Sequence, residues 1–298
     1  MPLSRRSLIV GSAALGAAAL GGLYGVLADA RLVPGRPLVD RVLRRCDVDS
    51  PPEAQPGPVV TAGFFSARRA RTVDCLIAYP PGYGTGADLP VCLYLHGVGG
   101  AATDALSWGL DRILAASVAA GVPPFALASV DGSDRFWHPR SDGDDPLGMV
   151  LDELPAHLAD LGLRTERIGL CGFSMGGYGA LLALSERPEL VAAVAATAPA
   201  VWLSYDEAVR ANRGSFDSDE DWQRWGDLRP RLPSLAARPV RIDCGNSDSF
   251  EPNLRALLPA LPPSVDARIT AGCHDTGFLR SVVPAQFAFL GAALATPA

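Results

Sequence analysis

The strongest constraint on this chain is an alternation. From about residue 58 onward, short apolar runs recur between helix-like stretches. The clearest run is Pro90–Leu95, "PVCLYL". It has no polar alternation, so it reads as a strand buried on both faces. Comparable runs lie at 125–130, 167–171, 191–196, 240–244 and 267–271, with helical patterns at about 103–120, 147–161, 178–184, 253–260 and 276–293. Strands alternating with helices predict a mostly parallel central sheet with helices on both faces. Ahead of them, 59–67 and 72–79 read as an antiparallel strand pair. Residues 201–233 interrupt the rhythm and hold Trp202, Trp222 and Trp225, which predicts a small helical insertion, or lid.

Composition narrows the function. The 298 residues are 48% hydrophobic and 19% charged, enough apolar material for a sizeable core. The net charge is -6, every basic residue is arginine, and the sequence has no basic patch, so nucleic acid is not the expected partner. Without lysine there is no Ser–Lys dyad, Schiff base or P-loop.

The first 30 residues read as a targeting segment. Arg5-Arg6 precede an Ala/Gly/Leu-rich run that ends near Leu27, and Ala28-Asp29-Ala30 offers a small-residue cleavage site. The arginine pair and modest hydrophobicity resemble a twin-arginine signal. Residues 8–27 are also long enough to anchor the chain in a membrane. Residues 31–57 read as a linker, and the catalytic domain is expected over 58–298. The expected location is outside the cytoplasm, secreted or held at the outer face of the cytoplasmic membrane.

The chemistry centres on Gly172-Phe173-Ser174-Met175-Gly176, a G-x-S-x-G between a strand and a helix. A serine on such a sharp turn is lifted clear of the sheet, and glycines two residues away leave room for the backbone. The hydroxyl needs a base, and the expected chain order is serine, acid, histidine. Only His274 of the four histidines lies downstream. In "IDCGNSDSF" the acid is expected at Asp248, in the loop, ahead of Asp243 and Glu251. "LHGVGG", 95–100, resembles a loop that supplies an oxyanion-hole donor, expected from the Val98 N–H with that of Gly99 close behind, and joined by that of Met175. His96 precedes the serine, so its order is wrong for a base. It reads as bonding loop backbone, yet with Gly97 it borders the expected substrate site.

Taken together these pieces resemble the α/β-hydrolase family over about 58–295, within its branch of esterase D and mycolyltransferase-like enzymes. The resemblance rests on "GFSMGGYGA", a G-x-x-D-x-F from Gly245 to Phe250, and a histidine soon after the last strand. It also rests on "DGSDRFWHPR", 131–140, which looks like a loop bordering the site in that branch. Asp131, Trp137 and His138 then either line a pocket or anchor a packed loop. Trp202, Trp222 and Trp225 either form an acyl-binding wall or pack the insertion; Trp137, His138 and Trp202 join the substrate-binding candidates. The resemblance implies a serine esterase that needs no cofactor or metal and acts on a small-molecule, lipid or carbohydrate ester. A cell-envelope acyltransferase and a non-catalytic binding protein are the rivals, and the His-Gly in "LHGVGG" favours hydrolysis over transfer. "SDGDD", 141–145, lacks a calcium ligand series and reads as a solvated acidic loop. Cys244 and Cys273, on the last two strands, are a candidate disulfide.

Overall fold

The computed structural model describes Cys46 and residues 50–296. The chain divides after Asp47, and all elements named below belong to the unit from Val48 on. The expected signal or anchor segment and most of the expected linker lie outside the described residues. Residues 50–57 carry no helix or strand but pack closely: a Cβ on Gly57 would meet the Tyr79 carbonyl at 2.2 Å.

The strands are β1 (Val59–Thr61), β2 (Phe64–Ser66), β3 (Arg71–Val73), β4 (Cys75–Ala78), β5 (Pro90–Leu95), β6 (Ala126–Val130), β7 (Arg164–Phe173), β8 (Val191–Thr197), β9 (Val240–Gly245) and β10 (Val265–Thr270). Eight of them form one sheet in the order β1-β4-β6-β5-β7-β8-β9-β10. Pairing is antiparallel for β1–β4 and β4–β6 and parallel from β6 to β10. β5 and β6 are buried at every residue, as apolar runs in a covered parallel sheet are, and β9 is buried throughout with its Arg241 and Asp243 paired to each other. Edge strand β10 alternates instead, presenting Asp266, Arg268 and Thr270 outward; charge on that edge blunts unwanted pairing.

The main helices are α1 (Leu110–Ala119), α2 (Leu154–Asp160), α3 (Met175–Glu186), α4 (Tyr205–Ala211), α5 (Glu251–Leu257) and α6 (Thr276–Leu294). α6 is long and apolar enough to cross a membrane, but it packs on β8, β7 and α1 and buries residues such as Phe287 and Leu290, as a core helix does.

Local chemistry moves several expected boundaries. The first strand pair is four short strands, because Ala62-Gly63 and Asp74 interrupt it; β2 and β3 pair only with each other. The helix expected at 103–120 is broken at Gly109, whose φ of 76° is left-handed. The helical run ending in α2 begins at Pro146 and contains a π turn at Met149–Glu153.

The expected Cys244–Cys273 pair is not formed. Cys244 is a free, buried thiol, while Cys273 is disulfide-bonded elsewhere. The register explains this: β10 sets Ile269, not a cysteine, against Cys244. Cys92 and Cys171 are also free, their sulfurs 3.6 Å apart inside the core.

Candidate active site

The site forms where β5, β7, β9 and β10 end on the same side of the parallel sheet, where ligand sites of open α/β sheets lie. Ser174 joins β7 to α3 with φ 56° and ψ −116°, a strained conformation for a residue with a side chain. Its surroundings leave no alternative. Its N–H donates to the Thr197 carbonyl at 3.0 Å, and its own carbonyl accepts from Ala200 and Tyr178 N–H groups. A Cβ on Gly176 would lie 1.8 Å from the Leu95 carbonyl oxygen, and one on Gly172 2.3 Å from the Gly176 backbone. Both flanking glycines are therefore required by close backbone approach.

Asp248 and His274 meet this serine. The Asp248 carboxylate is almost fully buried; its Oδ2 lies 2.7 Å from His274 Nδ1, and its Oδ1 accepts the Phe250 N–H at 2.8 Å. A carboxylate can only accept, so Nδ1 carries the proton. Nε2 is then the free acceptor, 2.9 Å from Ser174 Oγ. Such a line of bonds can remove the hydroxyl proton as the oxygen attacks a carbonyl, with the buried carboxylate steadying the imidazolium. Of the other acids considered, Asp243 binds Arg241 through both carboxylate oxygens and accepts from Gln286, and Glu251 pairs with Arg255. Neither contacts His274.

The loop after β5 borders the serine: a Cβ on Gly97 would stand 3.6 Å from Ser174 Cβ. Val98 is exposed, and the Gly99 N–H is engaged by Asp134 Oδ1 at 2.6 Å. Met175 is the first residue of α3, so its N–H lies outside the intrahelical ladder.

Three substrate-binding candidates are corrected by burial: His96, Trp137 and His138 are at most 1% exposed. His96 Nδ1 donates to the Gly97 carbonyl and Nε2 accepts the Gly132 N–H, the backbone-bonding use expected of this histidine. Trp137 Nε1 donates to the His96 carbonyl at 3.2 Å. Loop 131–138 thus grips the end of β5 and scaffolds the loop beside Ser174. It does so in a strained form, with Phe136 and Trp137 both at φ 52°. His138 bonds the Ser215 carbonyl and stacks on Phe216, tying the loop to the insertion.

Trp202 is corrected too. It, Trp222 and Trp225 are buried and pack the insertion, with Trp202 against Phe136, Phe216 and Phe250. Nor is the acidic loop merely solvated. Asp144 is buried between Arg69, bound through both oxygens, and Arg71, while Asp145 caps the helical turn at Pro146.

Sequence reasoning missed the aromatic surround of His274. Phe173 stands 4.7 Å from the His274 ring and Phe250 5.3 Å, and half-buried Trp108 meets Phe173 edge-on. Both phenylalanines lie inside the quoted motifs, so a signal existed; Trp108, on an interhelix turn, carried none.

Known proteins share this arrangement of strands and helices. An S-formylglutathione hydrolase from Agrobacterium tumefaciens superposes with a TM-score of 0.66 at 19% identity, over 83% of this chain and 99% of that one. A ferulic acid esterase from Anaeromyces mucronatus gives 0.62 at 19%, over 81% and 93%. The enterobactin esterase of Shigella flexneri gives 0.63 at 20%, over 83% and 63%. At these identities the likeness establishes the α/β-hydrolase fold. The family model described as "Putative esterase" matches residues 66–260, a span that includes Ser174 and Asp248 and stops short of His274. The match covers well over half of the chain, and the protein belongs to this esterase family.

Proposed function

We propose that the chain is an exported serine esterase that hydrolyses a carboxylic ester through an acyl-serine intermediate. Ser174 is the nucleophile. His274 takes its proton and returns it to the leaving alcohol, and Asp248 holds the imidazole tautomer. The N–H groups of Met175 and Val98 receive the oxyanion; the Gly99 N–H of that loop is held by Asp134. Water then attacks the acyl group with His274 as base. The observation that carries this reading is the unbroken line Asp248–His274–Ser174 at 2.7 and 2.9 Å, at the ends of three strands. Export is supported by the Arg5-Arg6 segment with its apolar run, and by the disulfide state of Cys273, which suits an oxidising compartment.

The test is turnover of p-nitrophenyl esters of graded chain length and of a feruloyl ester, with and without an acceptor alcohol. Ser174→Ala lowers kcat by at least about 10³-fold and leaves the fold intact. Near-normal turnover by that variant contradicts the assignment, and acyl transfer to the alcohol in preference to water favours a transferase. Export is read from fractionation of the producing cell, where replacing Arg5 and Arg6 with lysine retains the protein inside; unaltered export removes that part of the proposal.

A further inference from the structure

His274 keeps 27% of its side-chain surface exposed, and its contacts with Asp248 and Ser174 are one hydrogen bond each. Rotation about its side-chain bonds would break the reach to Ser174 Oγ. Two rings oppose that rotation. Phe173 lies against the imidazole at an interplanar angle of 33°, and Phe250 meets it at 60°. Each belongs to the immediate neighbourhood of a triad partner: Phe173 precedes Ser174, and Phe250 follows Asp248 by two residues.

Phe250 has the larger part. Its backbone N–H fixes the Asp248 oxygen that His274 does not use. Its ring is backed by Trp202, 5.4 Å away and nearly perpendicular. Trp202 is only 5% exposed and sits in the aromatic centre of the insertion, 5.3 Å from Phe136 and 6.1 Å from Phe216. A packed side chain of this kind moves only if its neighbours move, because protein interiors are close-packed. A chain of contacts therefore runs from the insertion through Trp202 and Phe250 to the imidazole.

We infer that Phe250 is a positioning residue for the base. Its ring, held by Trp202, keeps His274 in the orientation that reaches Ser174, and so couples the insertion to the rate of the chemical step. It touches no reacting atom and acts through His274. This inference rests on the triad assigned above.

Three variants of the full chain test it: Phe250→Ala, Phe250→Leu, which keeps apolar bulk, and Trp202→Phe. A fluorophosphonate titration first counts competent serines, so that kcat refers to folded protein. Phe250→Ala is expected to lower kcat by about tenfold to thirtyfold with KM changed less than about twofold, because a misplaced catalytic group costs rate more than binding. Phe250→Leu recovers most of that loss, and Trp202→Phe gives a smaller one. The low-field proton resonance of His274 Nδ1, bonded to Asp248, is present in the wild type and Phe250→Leu and broadened in Phe250→Ala. A Phe250→Ala enzyme with unchanged kcat per competent serine and an unchanged resonance overturns the positioning role and leaves the triad standing. A wild-type chain that the fluorophosphonate does not label overturns the triad and this role together.

Discussion

Ser174 and His274 are hydrogen-bonded neighbours, yet they are held by different means. Ser174 is fixed by backbone: its own N–H and carbonyl are bonded, and carbonyl oxygens stand where Cβ atoms at Gly172 and Gly176 would go. His274 is fixed by side chains: one carboxylate and two phenylalanine rings, with part of its surface open. Backbone constraint leaves a spacing in the sequence, whereas side-chain constraint leaves residues scattered along it. The contrast extends to the rest of the molecule. Asp248 is buried against His274, and Asp144 is buried where it ties a loop to the β2–β3 hairpin.

Replacing each aspartate in turn separates those roles. Asp248→Asn should lower kcat by about 10⁴-fold, because the amide favours the wrong imidazole tautomer, while the urea midpoint stays near that of the wild type. Loss of folded protein in step with activity would show Asp248 to be structural. Asp144→Ala strands the Arg69 guanidinium in the interior and should cost about 3 kcal/mol or more of stability, read from urea unfolding. Its kcat per folded molecule should remain within about threefold; a larger loss would place loop 131–145 in the catalytic step itself.

Asp134 lies between these extremes. Asp134→Ala releases the Gly99 N–H and frees the loop beside Ser174, through an exposed hydrogen bond of about 1 kcal/mol. The expected loss is about fivefold in kcat, with stability lowered by no more than about 1 kcal/mol and Asp134→Asn close to wild type. An unaltered kcat would mean that the loop holds its shape without this contact.

The smallest effect concerns pH. Burial holds the His138 pKa below its ordinary value; Arg140, 3.4 Å away, adds to this, and Asp221, at 3.9 Å, opposes it. The unfolded chain takes up its proton near pH 6.5 while the folded chain stays neutral, so the unfolded state binds more protons and stability falls as pH drops below about 6.5. His138→Gln should flatten that slope between about pH 7 and pH 5 in urea midpoints. An identical slope would show that this histidine contributes nothing to it.

Much of the frame was legible before any coordinates. Short apolar runs place β5 to β8, alternation with helices adds β9 and β10, and the spacing of glycines around Ser174 reports the crowding that the backbone imposes there. Chain order leaves His274 as the one downstream histidine, and a loop position favours Asp248 over Asp243, whose place within β9 turns it to Arg241 and Gln286. The residues whose use stayed open were polar or aromatic ones in loops, although the backbone-bonding reading of His96 holds. His96, Trp137, His138 and Trp202 look like pocket residues in sequence because polar and aromatic groups serve binding and packing equally well. Only their burial, and the loop carbonyls and N–H groups they satisfy, separates the two uses. Asp144 teaches the same lesson for charge, since its partners Arg69 and Arg71 lie more than 70 positions away.

The central claim is that Ser174 is the group that His274 activates. The most direct measurement is mass spectrometry of the full chain after complete reaction with a fluorophosphonate, with esterase activity followed in parallel. One adduct per chain on the peptide containing Ser174, activity lost in proportion, and no adduct in His274→Ala are the predicted result. An adduct at another residue, or full esterase activity in a completely modified chain, would contradict it.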